Sequence, residues 1–260
     1  MMRLALPIQA ALWIVAAFVL LLLYGPLFLA IFFSFFAFRS NRVQWDSFSF
    51  TAYARLMDNQ RIIDALTNTF VVGVIAVALA LVIGTLLALY HHAGRGRGRD
   101  LLQVVIYLPF LVPPIVTGLS LLIFFRQIDF ERSLVTVVIG HTVFVLAVVY
   151  RNVLARLQTV SRTLVEASLD LGANRWQTFR YVLLPQLMTA LLAAGILAFA
   201  LSFDETLITL LVTGTKSTLP MWLWSMMRLG FTPDVNALVA LVLAGTTLLC
   251  LLATRYLTKP

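Results

Sequence analysis

Thr163-Leu164-Val165-Glu166-Ala167-Ser168-Leu169-Asp170-Leu171-Gly172-Ala173-Asn174-Arg175-Trp176-Gln177-Thr178-Phe179-Arg180-Tyr181-Val182-Leu183-Leu184-Pro185 is a polar segment between apolar runs, and its local chemistry spells helix, break, helix and stop. Thr163 and Glu166 have the S/T-x-x-E spacing of a capping box, in which hydroxyl and carboxylate satisfy reciprocal amides at a helix start. Gly172 can enter the left-handed region that ends a helix. Asn174 is suited to cap the next turn, and Pro185, with no amide to donate, is expected to interrupt the backbone before the following apolar run. The segment reads as two short amphipathic helices.

What surrounds it is membrane. Hydrophobic residues make up 61% of the 260 positions and charged residues 12%, with a mean hydropathy of +0.97, which excludes an ordinary soluble domain. Crossing about 30 Å of hydrocarbon takes roughly 20 apolar residues as a helix, and a backbone in lipid must satisfy its own hydrogen bonds. The runs do not alternate as β-barrel strands do. The expected fold is therefore all-α and polytopic, with six transmembrane helices: roughly Leu12 to Phe36, Ala65 to Tyr90, Leu101 to Phe125, Ser133 to Tyr150, Gln186 to Val212 and Val235 to Thr254. The first is too long for a signal-peptide core and lacks a small-residue cleavage site, so it reads as a retained helix. No internal repeat or appended soluble domain is evident, and residues 1–260 read as a single membrane domain with a loop at 161–185.

The net charge of +8 is topological and calls for no nucleic acid. Short cytoplasmic loops collect Lys and Arg. Arg95, Arg97 and Arg99 lie between spans two and three; Arg151, Arg156, Arg162, Arg175 and Arg180 surround the polar segment; Arg255 and Lys259 end the chain. Six spans and this bias put both termini and the polar segment in the cytoplasm. On the opposite side, the segment from Arg39 to Asp64 has room for a short surface helix, with Trp45, Phe48, Phe50 and Tyr53 as interfacial anchors or as contacts for a partner or substrate. Pro109, Pro113 and Pro114 must kink or break span three, either as a packing kink or because this stretch faces an interior cavity.

Asp204 and Glu205, flanked by Ser202 and Thr206, are the most informative residues outside the loop. An acid within a spanning helix costs about 2.5 to 3.5 kcal/mol on insertion scales, so such a pair should face a polar interior. Adjacent helical residues diverge by about 100°, so one acid can line a path while the other pairs internally or caps. The alternative is that both simply end the helix near the interface. No catalytic constellation or metal set is visible. Cys250 is the only cysteine and lies in an apolar run, His91 and His92 flank the basic loop, and His141 reads as a satisfied interior histidine. Nothing matches a phosphate-binding Walker loop.

Glu166-Ala167-Ser168, Gly172 six residues after the Glu, and closing Leu184-Pro185 resemble the EAA loop of the permease subunits of ABC importers, with Ser168 in place of the second Ala and Val182 where Ile is usual. Tyr24-x-Pro26, Ser202-Phe203-Asp204-Glu205, Val212-Thr213-Gly214, Leu219-Pro220, Trp224-Ser225-Met226, Leu229-Gly230 and Pro233-Asp234-Val235-Asn236-Ala237 extend the resemblance to the second permease subunit of polyamine-type importers. Pro114 departs from it, standing where an acid is expected. The resemblance implies a type I ABC importer permease fold in a bacterial inner membrane and half of a translocation path for a small cationic solute such as a polyamine. Similar permeases carry another amine or amino-acid-like cation, thiamine or an iron complex, and a membrane scaffold or membrane-embedded enzyme is the other class. The resemblance implies coupling through Glu166, Ala167, Ser168, Gly172, Leu184 and Pro185, and a substrate pathway at Asp204 and Glu205, to which the flanking Ser202 and Thr206 can add oxygen ligands. The subunit itself would be non-catalytic and hold no cofactor. ATP and Mg would be bound by ATPase partners, with a second permease subunit, an external substrate-binding protein and membrane lipid as the other partners.

Overall fold

The computed structural model describes residues 6–39, 42–93, 98–229 and 233–257; Arg95, Arg97, Gly230, Lys259 and the Cys250 side chain lie outside the described residues. The chain divides into two compact units, Met1–Ile62 with Leu223–Pro260, and Ile63–Trp222.

In the first unit, α1 (Leu6–Phe33) exposes its apolar side chains along its length, as a helix facing lipid would. A two-stranded hairpin follows, β1 (Ala37–Arg39) against β2 (Arg42–Gln44), which the sequence did not announce. Aromatic rings hold this end together: Trp45 packs on Phe33 and Phe36, and Phe35 stacks on Phe48 at 5.6 Å. The expected surface helix is α2 (Thr51–Asp58), whose Tyr53 hydroxyl lies 2.6 Å from the buried Ser34 hydroxyl. It packs on α12 (Pro233–Leu257), with Arg55 paired to Asp234 at 2.9 Å. That pair is exposed enough to contribute at most about 1 kcal/mol.

The second unit is built around α6 (Leu134–Thr159). Expected as the shortest span, it runs 26 residues and is the most buried of the spanning helices. Val137, His141, Val145, Val149, Val153 and Leu157 recur every four residues and all are buried, giving one continuous core stripe. Ser133 starts the helix, its hydroxyl accepting from the Val135 amide while its own amide donates to Thr136 Oγ1. Beside α6 stand α3 (Gln60–Ala93), about 51 Å long and so tilted or projecting beyond the hydrocarbon, and a span broken by prolines. There α4 (Gly98–Leu111) and α5 (Pro114–Gln127) meet at 105°. Pro113 is extended, and Pro114 opens α5 where a missing amide costs nothing.

The chain then descends through α7 (Arg162–Asp170) and α8 (Arg175–Gln177) into a π-helical turn (Thr178–Leu183), α9 (Leu184–Asp204), a short α10 (Leu207–Val212) and α11 (Leu219–Leu229). The fifth expected span, drawn as one helix from Gln186 to Val212, is thus interrupted at Glu205. Among the described residues, four helices are long and apolar enough to cross a membrane, or five with the proline-broken pair taken as one span. The sixth expected span falls in α12, whose described apolar stretch is Asp234–Leu248.

Candidate functional site

The polar segment folds much as its residues dictate, with two corrections. The cap of α7 is Ser161, not Thr163. The Ser161 hydroxyl accepts from the Thr163 amide at 3.3 Å and lies 2.6 Å from the Thr163 hydroxyl. The helix therefore begins at Arg162, and Glu166 stands beyond its first turn, where no orphan amide remains for its carboxylate. Gly172, at φ +85°, ends α7 as expected. Its amide donates to Leu169 C=O and that of Ala173 to Ser168 C=O, the paired bonds of a Schellman stop. Asn174 then caps α8 reciprocally with Gln177, at 2.8 and 2.9 Å.

The second correction concerns Pro185, which does not stop the helix. The chain is helical without a break from Arg175 to Asp204, 30 residues and about 44 Å. A proline in a helix leaves an acceptor without its donor and crowds the carbonyl four residues back. The π turn before it absorbs both effects, the Leu184 amide reaching five residues back to Phe179 C=O. Leu184 and Pro185 therefore open α9, the half-buried Leu184 toward protein and Pro185 toward the outside.

No residue of α7 or α8 is buried, and Glu166, Ala167 and Gly172 are exposed. So are Leu164, Leu169, Leu171, Trp176 and Tyr181, with Leu171 88% exposed. Large apolar side chains thus rim a charged loop in the open. The loop is also tied to the core. Ser168, the departure from the usual alanine, has its hydroxyl 3.0 Å from that of the buried Thr178, fastening α7 to the π turn. Arg156, at the end of α6, donates through Nε to Gln186 C=O at 2.9 Å.

At the far end of the same continuous helix the acidic pair separates. Asp204 is the last residue of α9 and is exposed. Glu205 is buried, and its Oε1 accepts from the Ile208 amide at 2.9 Å, satisfying the N-terminus of α10. Thr206 is half-buried and returns its hydroxyl to Asp204 C=O. Ser202 is buried, its hydroxyl 2.8 Å from Nδ1 of His141, whose Nε2 lies 2.8 Å from Thr209 Oγ1. Of the four expected pathway residues, Ser202 and Asp204 thus lie in the last turn of α9 and Glu205 and Thr206 in the break that follows it, with Asp204 alone fully open. The reading of His141 as a satisfied interior histidine agrees with these contacts. No sequence signal names its partners, although an imidazole at membrane depth needs some. Among the described residues no group of three or more His, Cys, Asp and Glu side chains could hold a metal ion.

Comparison with known proteins agrees with this architecture. Residues 80–258 match the family model for binding-protein-dependent transport system inner membrane components. The chain is 31% identical over 231 residues to the putrescine transport system permease protein PotI of Escherichia coli (strain K12), covering 86% of this chain and 82% of that one. It is 30% identical over 210 residues to the spermidine/putrescine transport system permease protein PotC of the same strain, covering 80% of each. A chain in the crystal structure of a bacterial ABC transporter importing the acidic polysaccharide alginate superposes with a TM-score of 0.75 at 16% identity, covering 97% of this chain and 96% of that one. That likeness establishes the type I importer permease fold. The chain belongs to the family of binding-protein-dependent transport system inner membrane components.

Proposed function

We propose that this permease subunit forms half of the translocation path for a small cationic amine of the polyamine class, and that it is driven through residues 161–185. As an ABC importer permease it is the non-catalytic membrane subunit, and ATP is hydrolysed by a partner. The observation that carries the proposal is the unbroken helix from Arg175 to Asp204, which joins an exposed loop rimmed with apolar side chains to an exposed acid about 44 Å away. A rigid element touching both ends is what coupling between sites requires.

In this reading ATPase subunits on the cytoplasmic side seat against α7 and α8 around Leu171, Glu166 and Trp176. Their separation and approach move the lever, while Ser168 and Arg156 keep loop and core in step. Asp204 draws the cation into the path, Glu205 and Ser202 support the helix break, and Thr206 closes the end of α9. A second permease subunit completes the path, and an external binding protein delivers the substrate. The polyamine assignment is supported by the likeness to PotI and PotC and by Asp204. Pro114, standing where a polyamine permease is expected to carry an acid, favours another amine or amino-acid-like cation as the second reading.

Glu166→Ala tests the coupling role: transport and substrate-stimulated ATP turnover should fall together, with membrane insertion unchanged. Unchanged rates would reject it. Calorimetry on the cognate binding protein tests the substrate: putrescine or spermidine should bind, and a preference for thiamine or an iron complex would refute the amine assignment.

A further inference from the structure

The break between α9 and α10 is spanned by one side chain from a third helix. His141, 2% exposed on α6, has Nδ1 2.8 Å from Ser202 Oγ, before the break, and Nε2 2.8 Å from Thr209 Oγ1, after it. Thr209 Oγ1 also lies 3.0 Å from Glu205 C=O, within the break itself. A carbonyl only accepts, so the single threonine hydrogen goes to Glu205 and Thr209 must accept from the imidazole. Held in the interior between two neutral hydroxyls, the imidazole is itself neutral, so its one proton sits on Nε2 and Nδ1 accepts from the Ser202 hydroxyl. This direction makes all three bonds. The opposite tautomer forfeits the bond to Glu205, a costly loss in a buried site.

The rest of the packing holds α10 against α6 in the same way. Gly140, beside His141, has no Cβ, and one placed there would come within 2.7 Å of Ile208 Cγ2, so α10 approaches α6 closely only because the position is glycine. At the other end of α10, Thr136 Oγ1 lies 2.6 Å from Val212 C=O. One helix thus grips both ends of a six-residue segment whose start is capped by Glu205.

We infer that His141, as the neutral Nε2–H tautomer, is a positioning residue: by tying Ser202 to Thr209 across the helix break it fixes where α9 ends, and so where Asp204 presents its carboxylate to the substrate. This rests on the reading that Asp204 lines the path. His141 touches no substrate and acts through the acid.

The test uses the complete importer, with both permease subunits, ATPase and binding protein, reconstituted in proteoliposomes and supplied with putrescine. His141→Ala should raise the half-saturating substrate concentration about tenfold while leaving basal ATP turnover unchanged. Thr209→Val and Ser202→Ala, which each remove one hydroxyl and leave the imidazole in place, should raise it less. In an Asp204→Asn background these substitutions should add nothing, because the group they position is already gone. Additive effects with Asp204→Asn, or a loss of maximal rate without a change in half-saturation, would overturn the positioning role while leaving Asp204 on the path. An Asp204→Asn variant with wild-type transport would remove Asp204 from the path and the inference with it. ¹⁵N NMR of the histidine-labelled complex, with His141 identified by its absence in His141→Gln, should show a bare Nδ1 and a protonated Nε2. A proton on Nδ1 would overturn the directed hydrogen-bond chain.

Discussion

Asp204 and Glu205 illustrate how neighbouring residues of one type acquire different work. Where a helix stops between them, the first carboxylate ends the helix in the open and the second turns inward to the next helix start. Glu205→Ala should therefore cost about 1 kcal/mol, the usual loss on removing a helix cap, and lower the melting temperature of the purified complex, whereas Glu205→Gln, whose amide oxygen can still accept from Ile208, should stay close to wild type. Thermal unfolding monitored by tryptophan fluorescence reads the difference. Equal destabilisation by both would point to the negative charge rather than the cap. The sequence allowed this division of labour, since a 100° offset forbids a shared face, but not which acid did which. The partners of His141 lay further out of sight, because Ser202 and Thr209 are 61 and 68 residues away along the chain. Only packing brings them together.

At the scale of elements, local rules were legible where a single residue type decides the backbone and failed where two rules compete. Gly172 and Asn174 behave as their chemistry requires, and the prolines at 113 and 114 break their span. Pro185 departs from the expected stop because the penalty of a proline within a helix is absorbed by one π turn, which no periodicity announces. Both Ser161 and Thr163 can cap, and it is Ser161, two residues after α6 ends, that does. The π turn carries its own prediction. Pro185→Ala restores an amide and removes the crowding, so the turn should relax to an α-helix and rotate α7 and α8 by about 100° relative to α9. Transport per ATP hydrolysed should fall while the assembled complex is recovered in normal amount. Undiminished coupling would show that the turn is incidental.

At the scale of the molecule, both the exposed loop and the exposed acid belong to the unit Ile63–Trp222, whereas α1, the aromatic hairpin, α2 and α12 form the other. Hydropathy located the helices and basic residues suggested their direction. It did not reveal that the span drawn shortest is the buried centre of its unit, because burial depends on neighbours and not on length. The account depends most on the loop at 161–185 meeting a nucleotide-driven motor on the cytoplasmic side. A photo-crosslinker placed at Leu171, which is 88% exposed, tests this most directly in the assembled importer in intact membranes. Covalent capture of the ATPase subunit, weakened when ATP traps the motor in a different state, is the predicted result. Capture of no ATPase, or labelling of that position by a membrane-impermeant reagent added from outside, would contradict it.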